Sequence, residues 1–151
     1  MQTFLPYPDF AASAAALDAK RLGKQRVETL QVVRALTRPT YGWKRHPAVR
    51  MWAGHAEGVA AYGMAVCLEW VARGGADTVA GTMGVDLAAA GLPPVPRTQH
   101  ELARVAGLPA WIGDERVHVS HQAALVRKDP AFYGELFPGV DPELPYFWPV
   151  D

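Results

Sequence analysis

The 151-residue sequence predicts an all-α fold. Three observations carry that prediction. Apolar residues recur at spacings of three and four in the longer segments; those segments open on capping residues and close on Gly or Pro; and no stretch sustains the two-residue alternation of a half-buried strand. Half of the residues are hydrophobic, which supports a compact core and excludes general disorder. A chain of this length buries about two thirds of its unfolded surface, so residues 1–151 are expected to form a single domain of about five to six helices with long irregular connections.

The elements follow in order. Asp9, after the turn-like "PYP", caps a short helix through Leu17, and Asp18 caps a second helix that runs to about Thr37 and stops before Pro39. "RPTYGWKRHP" reads as a loop. Pro47 then occupies the first turn of a long helix, about Ala48 to Arg73, closed by Gly74 and Gly75. The segment Ala76 to Pro96 is rich in Gly and Pro and holds a short helix around Val85 to Ala90. Thr98 and Glu101 have capping-box spacing and open a brief helix that Gly107 closes. Two short helices follow, one from Ser120 to about Lys128 and one from Pro130 to near Phe137. The tail "ELPYFWPVD" is irregular and aromatic.

Composition narrows the function classes. The single cysteine, Cys67, excludes an internal disulfide and any cysteine-only metal site. The opening "MQTFLPYPDF" is broken by two prolines and an acid, unlike a signal peptide. The longest apolar run, Gly58 to Leu68, is far shorter than the roughly 20 residues of a membrane span. A soluble cytoplasmic protein is the expectation. The formal net charge is zero, but residues 1–50 carry nine Lys/Arg against three acids, and residues 51–151 carry six against twelve. That layout permits a local anion-binding surface on a neutral protein.

The basic stretch "LDAKRLGKQRVETL" concentrates the question. At 100° per residue, Leu22, Thr29, Leu30, Val33 and Leu36 form the apolar face of the second helix; Lys20, Lys24 and Gln31 lie opposite, flanked by Arg21, Glu28 and Arg34. Those cations read as a solvated face. Arg26 falls inside the apolar stripe, so its guanidinium needs a partner: a core carboxylate such as Glu69, or an anion or substrate. Gly23, one turn earlier, leaves room for another backbone or a ligand. On the long helix, Trp52, His55, Val59, Tyr62, Val66 and Trp70 make a core stripe, with His55 a hydrogen-bonded core histidine. "GWKRHP" sets Trp43 and His46 beside Lys44 and Arg45, a combination suited to base stacking and phosphate contacts, with a core plug the alternative role for Trp43. In "RVHVSHQAALVRKDPAFYGELF", Ser120 is the expected N-cap, with His118 and His121 flanking it at an anion-friendly helix start, and Arg127 and Lys128 following. No further ligand completes a metal site around His118 and His121, and neither a Gly-rich phosphate loop nor a nucleophile elbow is present.

"LDAKRLGKQRVETLQ", "GWKRHPAVRMWAGH", "CLEWVARGGADT" and "VHVSHQAALVRKDPAFYGELF" followed by "YFWP" together resemble the phage endonuclease V family of pyrimidine-dimer DNA glycosylases, in a divergent bacterial and phage branch. The resemblance covers most of the chain. It implies a small all-α protein acting on damaged duplex DNA, nucleoid-associated when bound to it; no cofactor, metal or obligate protein partner is expected. It also implies an N-terminal α-amine that attacks C1′ of the damaged nucleotide, an imine intermediate, and strand breakage by β-elimination. Arg26 matches a DNA-gripping arginine of the early helix, whereas the family's glutamate falls at Gly23. Gln2 is too bulky for ordinary methionine removal, so the free amine is that of Met1, and α-amines titrate at about 7.7–8.0. Glu28, His46, His118 and His121 are the candidates to replace the carboxylate; Lys24 is a substitute amine only with a strongly lowered pKa. The anion-binding candidates are Arg21, Lys24, Arg26, Trp43, Lys44, Arg45, Ser120, Arg127 and Lys128. Two alternatives share these residues: a nucleic-acid-binding module of the same fold, and an enzyme acting on a nucleotide or other small anion.

Overall fold

The computed structural model describes residues 1–150, and among them there are eight helices and no strand. They are α1 (Phe10–Ala16), α2 (Ala19–Thr37), α3 (Pro47–Arg50), α4 (Ala56–Ala72), α5 (Val79–Ala89), α6 (Gln99–Arg104), α7 (Glu115–Lys128) and α8 (Pro130–Leu136). The all-α expectation holds, with more helices than the five to six expected. Asp9 accepts the Ala12 N–H at 2.7 Å, and Thr98 and Glu101 form the reciprocal capping box. Asp18 occupies the N-cap of α2, but its carboxylate bonds Arg21 and the Tyr133 hydroxyl instead of a helix N–H.

Three boundaries move, each for a local reason. The expected long helix is two helices, because Gly54 adopts φ +78°, a left-handed conformation that ends the first segment before α4 restarts at Ala56. Helix α5 begins at Val79 instead of Val85, because the Asp77 carboxylate accepts the N–H groups of Val79 and Ala80 at 3.3 and 3.0 Å. Helix α7 begins at Glu115 instead of Ser120, since Asp114 accepts the Arg116 N–H at 3.0 Å. Ser120 is therefore not an N-cap; it is buried in the middle of α7 and donates to the Val117 carbonyl at 2.8 Å.

Helices α2 and α4 form the central pair, with α1 and α5 against them. Leu22, Leu30, Val33, Val59 and Val66 are all buried, and Trp70 packs on the same core. No helix among the described residues is long and apolar enough to cross a membrane.

Candidate active site

The N-terminal segment is built into the core. Thr3, Phe4 and Leu5 are buried, so their backbone groups need partners other than water. Side chains supply them. The Gln25 carboxamide, on α2, accepts the Phe4 N–H and donates to the Gln2 carbonyl, both at 2.8 Å. Tyr62 donates to the Phe4 carbonyl, Trp52 Nε1 to Thr3 Oγ1 at 2.9 Å, and Gln122 Nε2 to the Pro6 carbonyl at 2.8 Å. From α7, His121 Nδ1 accepts the Leu5 N–H at 3.0 Å, which leaves its proton on Nε2. His118 Nε2 accepts the Gly113 N–H at 2.9 Å, so its Nδ1 carries the proton and donates to the Leu5 carbonyl at 2.8 Å. Burial, reinforced by His118, holds the His121 pKa down to about 3, so its ring is neutral.

The segment emerges at a cavity of about 380 Å³ whose walls include Met1, Gln2 and Phe4. Helix α2 contributes Lys20, Arg21, Lys24 and Glu28, the end of α7 contributes Lys128, and the tail contributes Tyr146. Glu28 is nearly buried, with Lys24 Nζ 3.5 Å from its Oε1. Arg21 is fixed by Asp18 at 3.1 Å and by the Lys128 carbonyl at 3.3 Å. His46 shares this field. Partial burial and the positive Met1 terminus lower its pKa, while Glu28 acts in the opposite direction. Its Nδ1 accepts the Ala48 N–H at 3.1 Å, leaving Nε2 protonated. His46 lies edge-on to Trp43 (centroids 5.7 Å apart) and Trp148 (6.2 Å), and Trp148 packs on Tyr146 at 5.1 Å. Burial raises the Tyr146 hydroxyl, against the influence of Gln2 and Arg127. Trp43 is half exposed and holds φ +69°. Met1, the shielded Glu28 carboxylate and four cationic side chains thus share one opening with the rings of Phe4 and Tyr146.

A family model described as pyrimidine dimer DNA glycosylase matches residues 1–81. The chain belongs to that family. No curated protein and no solved structure matches it. Membership of the pyrimidine dimer DNA glycosylase family assigns the protein to DNA-damage processing. The matched range carries the N-terminal segment, Gln25, Glu28 and His46; Lys128 and Tyr146 reach the cavity from outside it.

Of the residues singled out in the sequence, Met1, Arg21, Lys24, Glu28 and Lys128 line this cavity, with His46 and Trp43 beside it. His118 and His121 do not open onto an anion site; they lie behind the N-terminal segment and hold Leu5. Arg26 does not face a cleft shared with the histidines. Its guanidinium donates to Asp77 at 2.5 Å and stacks over Trp70, 4.3 Å from the ring centroid. Glu69 pairs with Arg73 instead. Burial works against the Asp77 carboxylate, but the Ala80 and Val79 N–H groups, Arg26 and the Cys67 thiol keep its pKa below the usual range. Gly23 makes room for the same indole: a Cβ there would lie 3.1 Å from the Trp70 ring, so position 23 faces α4 and the carboxylate at the cavity is Glu28. Lys44 donates to the Ala35 carbonyl at 2.8 Å, Arg127 anchors the tail at the Leu144 carbonyl at 2.7 Å, and Arg45 is exposed on the loop beside Trp43. Sequence reasoning missed Gln25 and Tyr146, and counted Lys20 only as a wet-face cation. Gln25 had one signal: an amide on the buried side of a helix. Among the described residues no cluster of three or more His, Cys, Asp or Glu side chains could hold a metal ion.

Proposed function

We propose that this protein is a DNA glycosylase and abasic-site lyase whose nucleophile is the Met1 α-amine and whose working carboxylate is Glu28. The observation that carries the reading is that Met1 and Glu28 line one cavity ringed by Lys20, Arg21, Lys24 and Lys128. A volume of about 380 Å³ suits a small-ligand site such as an extrahelical nucleotide. The uncharged amine attacks C1′ and the glycosidic bond breaks. As the sugar ring opens to the imine, the departing base and O4′ take up the protons that the nitrogen loses. Glu28 then removes a proton from C2′, and the bond between C3′ and its phosphate oxygen breaks by β-elimination. Water hydrolyses the imine and returns the amine. The cations grip the flanking phosphates, and Trp43 and Tyr146 offer ring faces to unstacked bases.

Borohydride trapping on abasic and ultraviolet-irradiated duplexes tests this reading. A protein–DNA adduct at Met1 is expected, lost on acetylating the terminus and kept in Lys24→Ala. Glu28→Gln should slow strand cleavage by about 100-fold with DNA affinity retained or raised, since the removed charge repels phosphate. Attachment at a lysine, or activity in the acetylated chain, overturns the Met1 assignment. DNA affinity without any adduct would instead make the protein a binding module.

A further inference from the structure

We infer that Gln25 is a positioning residue that aims the amine nucleophile at the sugar; this rests on the Met1 reading above. Gln25 is 1% exposed and lies one helical turn before Glu28, on the same side of α2. Its carboxamide makes two bonds to the same extended segment, from Phe4 N–H and to the Gln2 carbonyl, and so brackets Thr3 as a paired strand would. The Gln2 carbonyl is the last backbone acceptor but one before the amine. A single rigid helix therefore carries both the group that holds the nucleophile's backbone and the carboxylate that faces the same cavity. The amine–carboxylate separation is set by one turn of helix and two residues of pinned chain. Without those two bonds the Gln2 carbonyl loses its partner on α2, and the backbone of Met1 and Gln2 is tied to the fold through side-chain contacts and from Thr3 onward, where Trp52 donates to Thr3 Oγ1. Misplacing a reacting group by about 1 Å costs on the order of 100-fold in rate.

The experiment uses the full chain on a duplex with one abasic site, with multiple-turnover kinetics and borohydride trapping. Gln25→Met keeps the side-chain length and removes both bonds. It is expected to lower kcat by about 100-fold with KM within about twofold. Peptide mapping of the borohydride adduct should show attachment moving from Met1 to neighbouring lysines, which a simple loss of stability would not do. Gln25→Glu keeps the acceptor for Phe4 N–H and should fall between the two, which keeps the test open if the methionine variant does not fold. Trapping at Met1 at the parent rate in both variants overturns the inference alone. A rise in KM with kcat unchanged also overturns it, because that is a binding effect. A parent chain that forms no adduct overturns the nucleophile reading itself, and Gln25 then has no nucleophile to aim.

Discussion

His121 Nδ1 accepts the backbone N–H of Leu5 across 116 positions of sequence, at 3.0 Å, and can do so only while the ring is neutral. Its pKa is about 3 in the fold, against about 6.5 in an unfolded chain. Between those values the unfolded state binds the extra proton. Stability is therefore complete above about pH 6.5 and declines as the pH falls towards 3, by roughly 1.4 kcal/mol per pH unit. His46, whose pKa is also lowered, adds a smaller contribution of the same sign. Urea midpoints measured from pH 7 to pH 4 should show this slope. In His121→Gln the slope should flatten; an unchanged slope would place the acid sensitivity elsewhere.

The Arg26–Asp77 pair should behave as a structural contact and not as a DNA contact. Both side chains are largely buried, at 15% and 5% exposure, and Arg26 also stacks on Trp70. Asp77→Ala leaves the guanidinium without its carboxylate and removes the acceptor at the start of α5, so a loss of about 3 kcal/mol is expected. DNA affinity of the folded fraction should change little. A stable variant with weakened DNA binding would contradict this assignment.

The exposed cavity lysines should set the salt dependence instead. Lys20 and Lys128 stand at the opening, and each phosphate neutralised contributes about 0.9 to the slope of log K against log salt. Titrations between about 50 and 200 mM salt should show the slope reduced by about that amount in Lys20→Ala and in Lys128→Ala, and preserved in Arg26→Ala. Equal slopes in all four proteins would move the DNA surface away from this cavity.

Trp43 should show opposite effects on stability and binding. At φ +69° a side chain costs roughly 1 kcal/mol that glycine avoids, and half of the indole is exposed. Trp43→Gly is expected to keep or raise the melting temperature. It should weaken DNA binding by about 1–3 kcal/mol, the value of stacking one base on an aromatic ring. A fall in melting temperature with unchanged affinity would make Trp43 a packing residue.

What the sequence determined by itself was local. The 3.6-residue periodicity of α2, the Asp9 cap and the Thr98–Glu101 capping box depend on neighbours a few residues apart, so the helical class and most boundaries could be read directly. The starts of α5 and α7 were harder because Asp77 and Asp114 sit beside Gly and Pro signals that point to loops. The site was legible in its ingredients, Met1, Glu28, Lys24 and His46, but not in its assembly. Only the tertiary structure decided that Arg26 turns to Asp77, that Gly23 yields its space to Trp70, and that Glu28 lines the same cavity as Met1. The physical reason is that a buried segment without secondary structure must borrow hydrogen-bond partners from distant side chains. Which side chains can reach it is settled by how α2, α4 and α7 pack, and helical spacing carries no record of that choice.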